Sequence, residues 1–409
     1  MAGDDKIVDQ RIAMLETQLQ LLTRVLGIDH EPEAPVVTHH DKEQLLRAIE
    51  ELAPLKPLLD DERINDILIN GNRGVYVERR GKLEKSDITF PSDATVFKLA
   101  EAIVNRVGRQ IHPRRPLVDA RLPDGSRVNI IAPPLSVDGT MISIRKFSKN
   151  TITLDDMVQN QNLSPQLAEF LKVAGKCRLN IIMAGGTGSG KTTLLNAVSQ
   201  HILEDERIVT IEDAAELRLA QPHVVRLETK PVTLGRSREE EVTIRDLVRN
   251  ALRMRPDRII VGEVRGAEAF DMMQAMNTGH EGSLTTIHAN HPRDALSRIE
   301  NMVNMANLNL PPAAIRSQIA SAIHLVVQIS RQRDGHRRVT YVSEVVGMES
   351  DVVTMQDLFV FQNKGEDKNG MLQGDFRWSG IMPRFIRRVA YYGESERLAK
   401  VLGVRLPNL

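Results

Sequence analysis

Only one cysteine, Cys177, occurs in 409 residues. A lone thiol cannot close an internal disulfide or supply a thiolate zinc cage, so a disulfide-stapled fold is excluded and a reducing compartment is expected. Cys177 itself is expected to be ordinary packing. Aromatic residues are scarce at 3%, and Lys plus Arg balances Asp plus Glu at 54 each. Such a chain has neither a stacking platform for single-stranded nucleic acid nor a global field toward polyanions. The longest apolar runs, 179–184 and 323–329, fall far short of the roughly 20 residues that span a bilayer. The opening Met-Ala-Gly-Asp-Asp has no basic stretch followed by an apolar core, so no export signal is expected and the protein is read as cytoplasmic.

With 41% hydrophobic and 26% charged residues the composition is that of a folded globular protein, and the length calls for two domains. Ile12, Leu15, Leu19, Leu22 and Leu26 form a single helical stripe, to pack on the same chain or on a partner, before a linker with prolines 32 and 35. Residues 1–40 are therefore read as a helix and linker. From 41 to 147 helices alternate with short strands, and Asp124-Gly125 marks a hairpin; a smaller N-terminal α/β domain is expected. The stretch 106–146 carries eight basic and three acidic residues. Residues 148–409 contain fully apolar strands separated by helices, at 179–183, 207–212, 224–228, 258–261, 283–288 and 325–329. That pattern predicts a parallel sheet covered on both faces, followed by a C-terminal extension.

Chemistry concentrates in Gly185-Gly186-Thr187-Gly188-Ser189-Gly190-Lys191-Thr192, a P-loop that chance would supply in about one chain of this length in a hundred. An apolar strand leads in, and a helix is expected over 193–203. Glycines let backbone amides converge on phosphate oxygens at a helix N-terminus. Residues 186–193, Thr187, Ser189 and Thr193 included, are the nucleotide cradle; Lys191 neutralises the β- and γ-phosphates of ATP, and Thr192 offers its hydroxyl to Mg²⁺. Arg258-Ile259-Ile260-Val261-Gly262-Glu263 places a carboxylate after a strand, with Gly262 where many P-loop enzymes carry aspartate. Glu263 is expected to hold the water shell of Mg²⁺, polarise the attacking water, or pair with Arg265. Glu212 ends another apolar strand and is expected to converge on the loop as a second catalytic carboxylate, while neighbouring Asp213 is catalytic or caps a following helix. His280 and His288, in a hydroxyl-rich stretch, are candidates to donate to a γ-phosphate oxygen.

These four elements resemble the secretion and type IV pilus motor ATPases, with their Walker A, aspartate box, Walker B and histidine box. The motifs over 121–129 (RLPDGSRVN), 142–147 (ISIRKF) and 251–258 (ALRMRPDR) resemble in particular the Tad/Flp pilus branch, the CpaF/TadA family. The likeness spans roughly residues 41–350. It implies a RecA-like C-terminal domain behind the smaller α/β domain, a homohexamer at the inner face of the bacterial inner membrane, and platform proteins as partners. It also implies that Arg121, Arg127 and Arg145 reach toward the phosphates. No four-cysteine zinc module is present, so no zinc is expected, nor is nucleic acid. A DNA-translocating RecA-like ATPase, a small-molecule kinase and a nucleotide-gated scaffold with little turnover are the competing readings.

Overall fold

A computed structural model describes residues 53–79, 82–105, 107–122, 124–146, 151–230, 241–368 and 370–406. The stripe over residues 12–26 lies outside them. The chain divides into two compact units, Met1–Phe147 and Ser148–Leu409.

The first unit is built on alternation. Strands β1 (Ile64–Asn70), β2 (Val75–Arg79), β3 (Lys82–Lys85), β4 (Leu117–Arg121), β5 (Arg127–Ile131) and β6 (Met141–Arg145) form one antiparallel sheet in the order β3-β2-β1-β6-β5-β4. In β5 and β6 the second and fourth positions bury Val128, Ile130, Ile142 and Ile144 while their neighbours face outward. The buried face packs with helix α2 (Asp93–Asn105), which follows the short α1 (Lys56–Asp60), through Val96, Leu99, Ala100 and Ile103. The hairpin expected at Asp124-Gly125 joins β4 to β5: Gly125 takes φ +90°, and Asp124 accepts from the Ser126 amide.

The second unit follows the expected strands to within two residues. β7 (Ile181–Gly185), β8 (Ile208–Glu212), β9 (Val224–Glu228), β10 (Arg258–Val261), β11 (Leu284–His288) and β12 (Leu325–Arg331) are parallel, in the order β12-β7-β11-β10-β8-β9. One face is covered by α3 (Leu154–Gln159), α4 (Pro165–Lys176) and α5 (Lys191–Ser199), together with buried Cys177, whose thiol burial pushes up to about 12. The other carries α6 (Ile244–Ala251), α7 (Glu268–Asn277), α8 (Pro292–Asn304) and α9 (Pro312–Ala322).

A purely parallel sheet is not what forms. Beyond β12 the chain turns at Asp334-Gly335 and adds three antiparallel strands, β13 (Arg337–Glu349), β14 (Val352–Glu366) and β15 (Leu372–Trp378). They are less buried than the inner parallel strands, and β15 alternates in burial, as suits a sheet with one wet face. Phe359 of β14 lies 5.0 Å from Phe170 of α4 and so fastens the extension to the body, and helices α10 (Ile386–Tyr391) and α11 (Ser395–Leu402) close the chain.

At the amino end of the parallel strands, Arg258 is fully buried and grips Glu206 with two bonds, Nε to Oε2 at 2.7 Å and Nη2 to Oε1 at 2.8 Å. Arg178 adds a third contact to Glu206 at 3.0 Å. Breaking one half of such a pair strands a buried charge, at about 3–5 kcal/mol. Arg258→Met is therefore expected to lower the melting temperature of this unit sharply, and Arg258→Met with Glu206→Met to recover much of the loss; equal losses in single and double variants would remove the pair from this role.

Candidate functional site

β7 is buried throughout and stops at Gly185, where no side chain fits: a Cβ would stand 2.3 Å from the Ile329 carbonyl oxygen and 2.5 Å from Ser189 Oγ. The chain then needs left-handed backbone at Gly188 (φ +67°) and Gly190 (φ +98°). Gly190 is the N-cap of α5 and supplies no side-chain cap. The helix therefore starts at Lys191, two residues earlier than expected, with its first amides available to an anion. Thr187 and Gly188 are exposed, Gly186, Thr192 and Thr193 half-buried, and Ser189 and Lys191 buried.

The Lys191 ammonium donates to the Gly186 carbonyl oxygen at 2.9 Å and stands 3.5 Å from His288 Nδ1. His288 is placed there by register, opposite Gly185 on the adjacent strand β11. An ammonium only donates, so Nδ1 accepts and the imidazole proton lies on Nε2, 2.9 Å from Glu263 Oε1. Burial, with the Lys191 charge next, holds the His288 pKa below its ordinary value, so the ring is neutral at neutral pH. Burial also lowers Lys191, against the pull of Glu263.

Glu263 follows β10 and is caught on its other oxygen by Arg265, Nη2 to Oε2 at 2.6 Å; Arg265 reaches on to Asp213 at 3.3 Å. The salt bridge expected as an alternative for Glu263 thus exists alongside its place near Lys191 and His288. Asp213 caps no helix, because the described residues after it form no helix before α6.

Glu212 departs from expectation. It lies beside Gly262, whose amide bonds Ile211, but its Oε2 turns back to accept the amides of Glu216 (2.7 Å) and Leu217 (2.9 Å). It also explains Gly262: a Cβ there would meet Glu212 Cγ at 2.8 Å, so the neighbouring strand fills the space where other P-loop enzymes carry an aspartate side chain. Burial pushes the Glu212 carboxyl up to about 7, opposed by those two amides.

His280 is separated from this group. It precedes β11, at the amino end of the sheet, where neighbouring Gly282 touches Arg258 and Arg178. A five-residue strand of roughly 3.3 Å per residue lies between the two histidines, so only His288 reaches the P-loop of its own chain. Arg121, Arg127 and Arg145 belong to the first unit, where register puts them directly opposite one another on β4, β5 and β6, with Asp66 of β1 next in the row. Arg127 pairs with Asp119 at 2.8 Å and Arg145 with Asp66 at 3.3 Å.

As a test of whether Mg²⁺ suits the site, Glu212 Oε1 and Glu263 Oε1 are buried and hydrogen-bonded to nothing among the described residues, the His288 contact falling outside hydrogen-bond geometry. Spare carboxylate oxygens at the carboxyl ends of β8 and β10, with the Thr192 hydroxyl in the first turn of α5, are the hard oxygen donors a hydrated Mg²⁺ takes.

A buried strand, an amide-lined loop, a buried lysine and carboxylates gathered at the carboxyl ends of neighbouring strands define a P-loop ATP hydrolase. The sequence pattern of the type II/IV secretion system protein family matches residues 48–371. The chain belongs to that family, an ATPase of the secretion and pilus motor class. It is 38% identical over 295 residues, 71% of this chain and 83% of the other, to a Mycobacterium tuberculosis protein whose name attaches it to conjugal transfer. It is 36% identical over 314 residues, 70% of this chain and 91% of the other, to the type IV secretion system protein PtlH of Bordetella pertussis. The structure of the Legionella pneumophila ATPase DotB shares the fold, with TM-score 0.50 and 21% identity over 76% of this chain and 81% of that one. The fold is accordingly α/β, a RecA-like unit preceded by a smaller α/β unit. No helix among the described residues is long and apolar enough to cross a membrane.

The raised Glu212 carboxyl gives a pH signature. The folded state holds its proton from about 4.5, the ordinary value, up to about 7, where the unfolded chain has released it. Stability therefore falls as pH rises through that window and levels off above it. Glu212→Gln still accepts both amides, and is expected to flatten the slope and to gain up to about 3 kcal/mol above pH 7. Unfolding curves of the two proteins that stay parallel from pH 4.5 to 8 would show the carboxyl to be ionised throughout.

Proposed function

We propose that this protein is the motor subunit of a Tad/Flp-type pilus assembly machine. It works as a homohexamer at the inner face of the bacterial inner membrane, turning ATP hydrolysis into work on platform proteins that add or remove pilin subunits. The observation that carries the chemistry is the gathering of Lys191, His288 and Glu263 at the carboxyl ends of β7, β11 and β10, beside the amides of residues 186–193. The Tad assignment is supported by the motif residues themselves. RLPDGSRVN forms the hairpin of β4 and β5, ISIRKF supplies β6 beside it, and ALRMRPDR ends in the buried Arg258.

In this reading the loop amides and Lys191 bind and orient the triphosphate; Thr192 and the spare oxygen of Glu263 would hold Mg²⁺, which would supply positive charge against the phosphates. Glu263 orients the attacking water and takes its proton once Arg265 shifts its hold toward Asp213. Neutral His288 donates its Nε2 proton toward the γ-phosphate region and senses its loss. Glu212 shapes the loop after β8 and offers Oε1 to the metal's water shell. The row Arg121, Arg127 and Arg145 supplies positive charge to the triphosphate in the working assembly, as the resemblance implies; three like charges side by side on a sheet favour an anionic partner.

The relatives named for conjugal transfer and type IV secretion support a second reading, in which the work moves a secreted substrate rather than pilin.

Lys191→Ala and Glu263→Gln are each expected to lower ATP turnover by about 10²-fold or more. Glu263→Gln keeps its affinity for a fluorescent ATP analogue and Lys191→Ala loses it. Native mass measurement of the wild type is expected to give six copies, and cells carrying either variant to lack pili. Undiminished turnover in either variant would reject the assigned chemistry, and piliated cells with blocked secretion would favour the second reading.

A further inference from the structure

One cation near the P-loop has no part in the arrangement above. Arg337 opens β13, directly opposite Arg331 across the hairpin that follows β12. Its Nε donates to the Gly188 carbonyl oxygen at 2.9 Å, and its Cδ lies 3.4 Å from where a Cβ on Gly190 would stand. Among the described residues it pairs with no carboxylate, although the same hairpin holds an ion pair of its own: Arg338 and Asp334 meet at 2.8 Å, almost wholly buried. Asp334 also accepts the amides of His336 and Leu372, and Asn162 accepts the amide of Val339. The hairpin is thus a fixed platform, and Arg337 is the side chain it holds against the loop.

We infer that Arg337 is a positioning residue for nucleotide binding, acting through the Gly188–Ser189 peptide. In a trans peptide the carbonyl and the N–H point to opposite sides. Pinning the Gly188 oxygen outward therefore aims the Ser189 amide inward. There the Ser189 amide, at 3.4 Å, joins Ser189 Oγ and the Lys191 ammonium, both at 2.9 Å, in donating to the Gly186 oxygen. Phosphate oxygens compete for the same three donors, so the group that orients them sets the affinity of the loop for phosphate.

Apart from the long 3.4 Å bond of the Ser189 amide, this hold is the restraint that the described residues place on the peptide. Gly188 has no Cβ, sits at φ +67°, and has open space where a side chain would be. Rotation of that peptide would turn a carbonyl toward the phosphates and remove an amide. The hold comes from the β12–β13 turn, which makes the antiparallel extension part of the nucleotide site and gives a reason for its joining the sheet at β12, the neighbour of β7.

The inference rests on the P-loop being the nucleotide site, so Lys191→Ala serves as the control. Arg337→Met keeps the length and loses the donor; Arg337→Gln places an amide N–H at the position of Nε and loses only the charge. Binding of N-methylanthraniloyl-ADP to the full chain is the readout, with melting without nucleotide as the measure of folding. Arg337→Met is expected to weaken ADP about tenfold and to raise KM for ATP by a similar factor, with a smaller change in kcat. Arg337→Gln should bind close to wild type, which a purely structural arginine or one that touches phosphate through its charge would not produce. If Arg337→Met melts low, the Gln variant carries the test alone. Binding by Arg337→Met at wild-type strength while Lys191→Ala fails overturns this inference only. Arg337→Gln as weak as the Met variant in a folded protein overturns it in favour of direct charge contact. Unimpaired binding by Lys191→Ala overturns the site itself.

Discussion

A lysine ammonium held almost out of water at the end of a buried parallel strand is the constraint on which the rest of the structure turns. Burial lowers the Lys191 pKa, and what keeps the charge is a carbonyl at 2.9 Å, an imidazole at 3.5 Å and the more distant attraction of Glu263. Such an arrangement is weakly compensated by itself and strongly compensated by an anion of several charges. The cost of burying the lysine is thereby converted into affinity for a triphosphate. Each partner arrives from a different strand, and so the sheet order matters more than any single motif.

That order also sets the different surroundings of the two carboxylates. In the usual arrangement one aspartate follows the strand next to the P-loop strand's neighbour; here Gly262 holds that place and the space belongs to Glu212 from β8. Burial pushes the Glu212 carboxyl up to about 7 against the pull of its two loop amides, whereas Glu263 lies against the Arg265 guanidinium. Two carboxyl groups a strand apart are thus given different characters by their surroundings.

The first unit applies the same physics with the opposite sign. Its outward face aligns Arg121, Arg127 and Arg145 across three strands, with Asp119 and Asp66 as the carboxylates at hand. Cross-strand like charges oppose folding of the sheet, and the ion pairs to Asp119 and Asp66 offset part of that repulsion.

Local chemistry was fully legible in the sequence wherever one backbone segment sufficed. The P-loop needs glycines, a lysine and a preceding apolar strand within a dozen residues, and the inner parallel strands β7, β8, β10 and β11 read as apolar runs because both their faces are covered. The place of Glu263 after β10 followed from the same rule. What lay beyond reach depended on contacts between distant segments. His280 and His288 look equivalent in a line of text, yet the strand between them sends them to opposite ends of the sheet. Glu212 ends its strand as expected, but the fold of the following loop engages one of its carboxylate oxygens with the amides of Glu216 and Leu217. Arg337 lies 149 residues from the carbonyl it holds; only the Asp334-Gly335 turn signal hinted at its hairpin. The sequence alone therefore determined which groups can bind a triphosphate, because that ability resides in short-range backbone geometry. Tertiary structure decided which groups stand beside it, because strand order and side-chain direction are set by packing of the whole sheet.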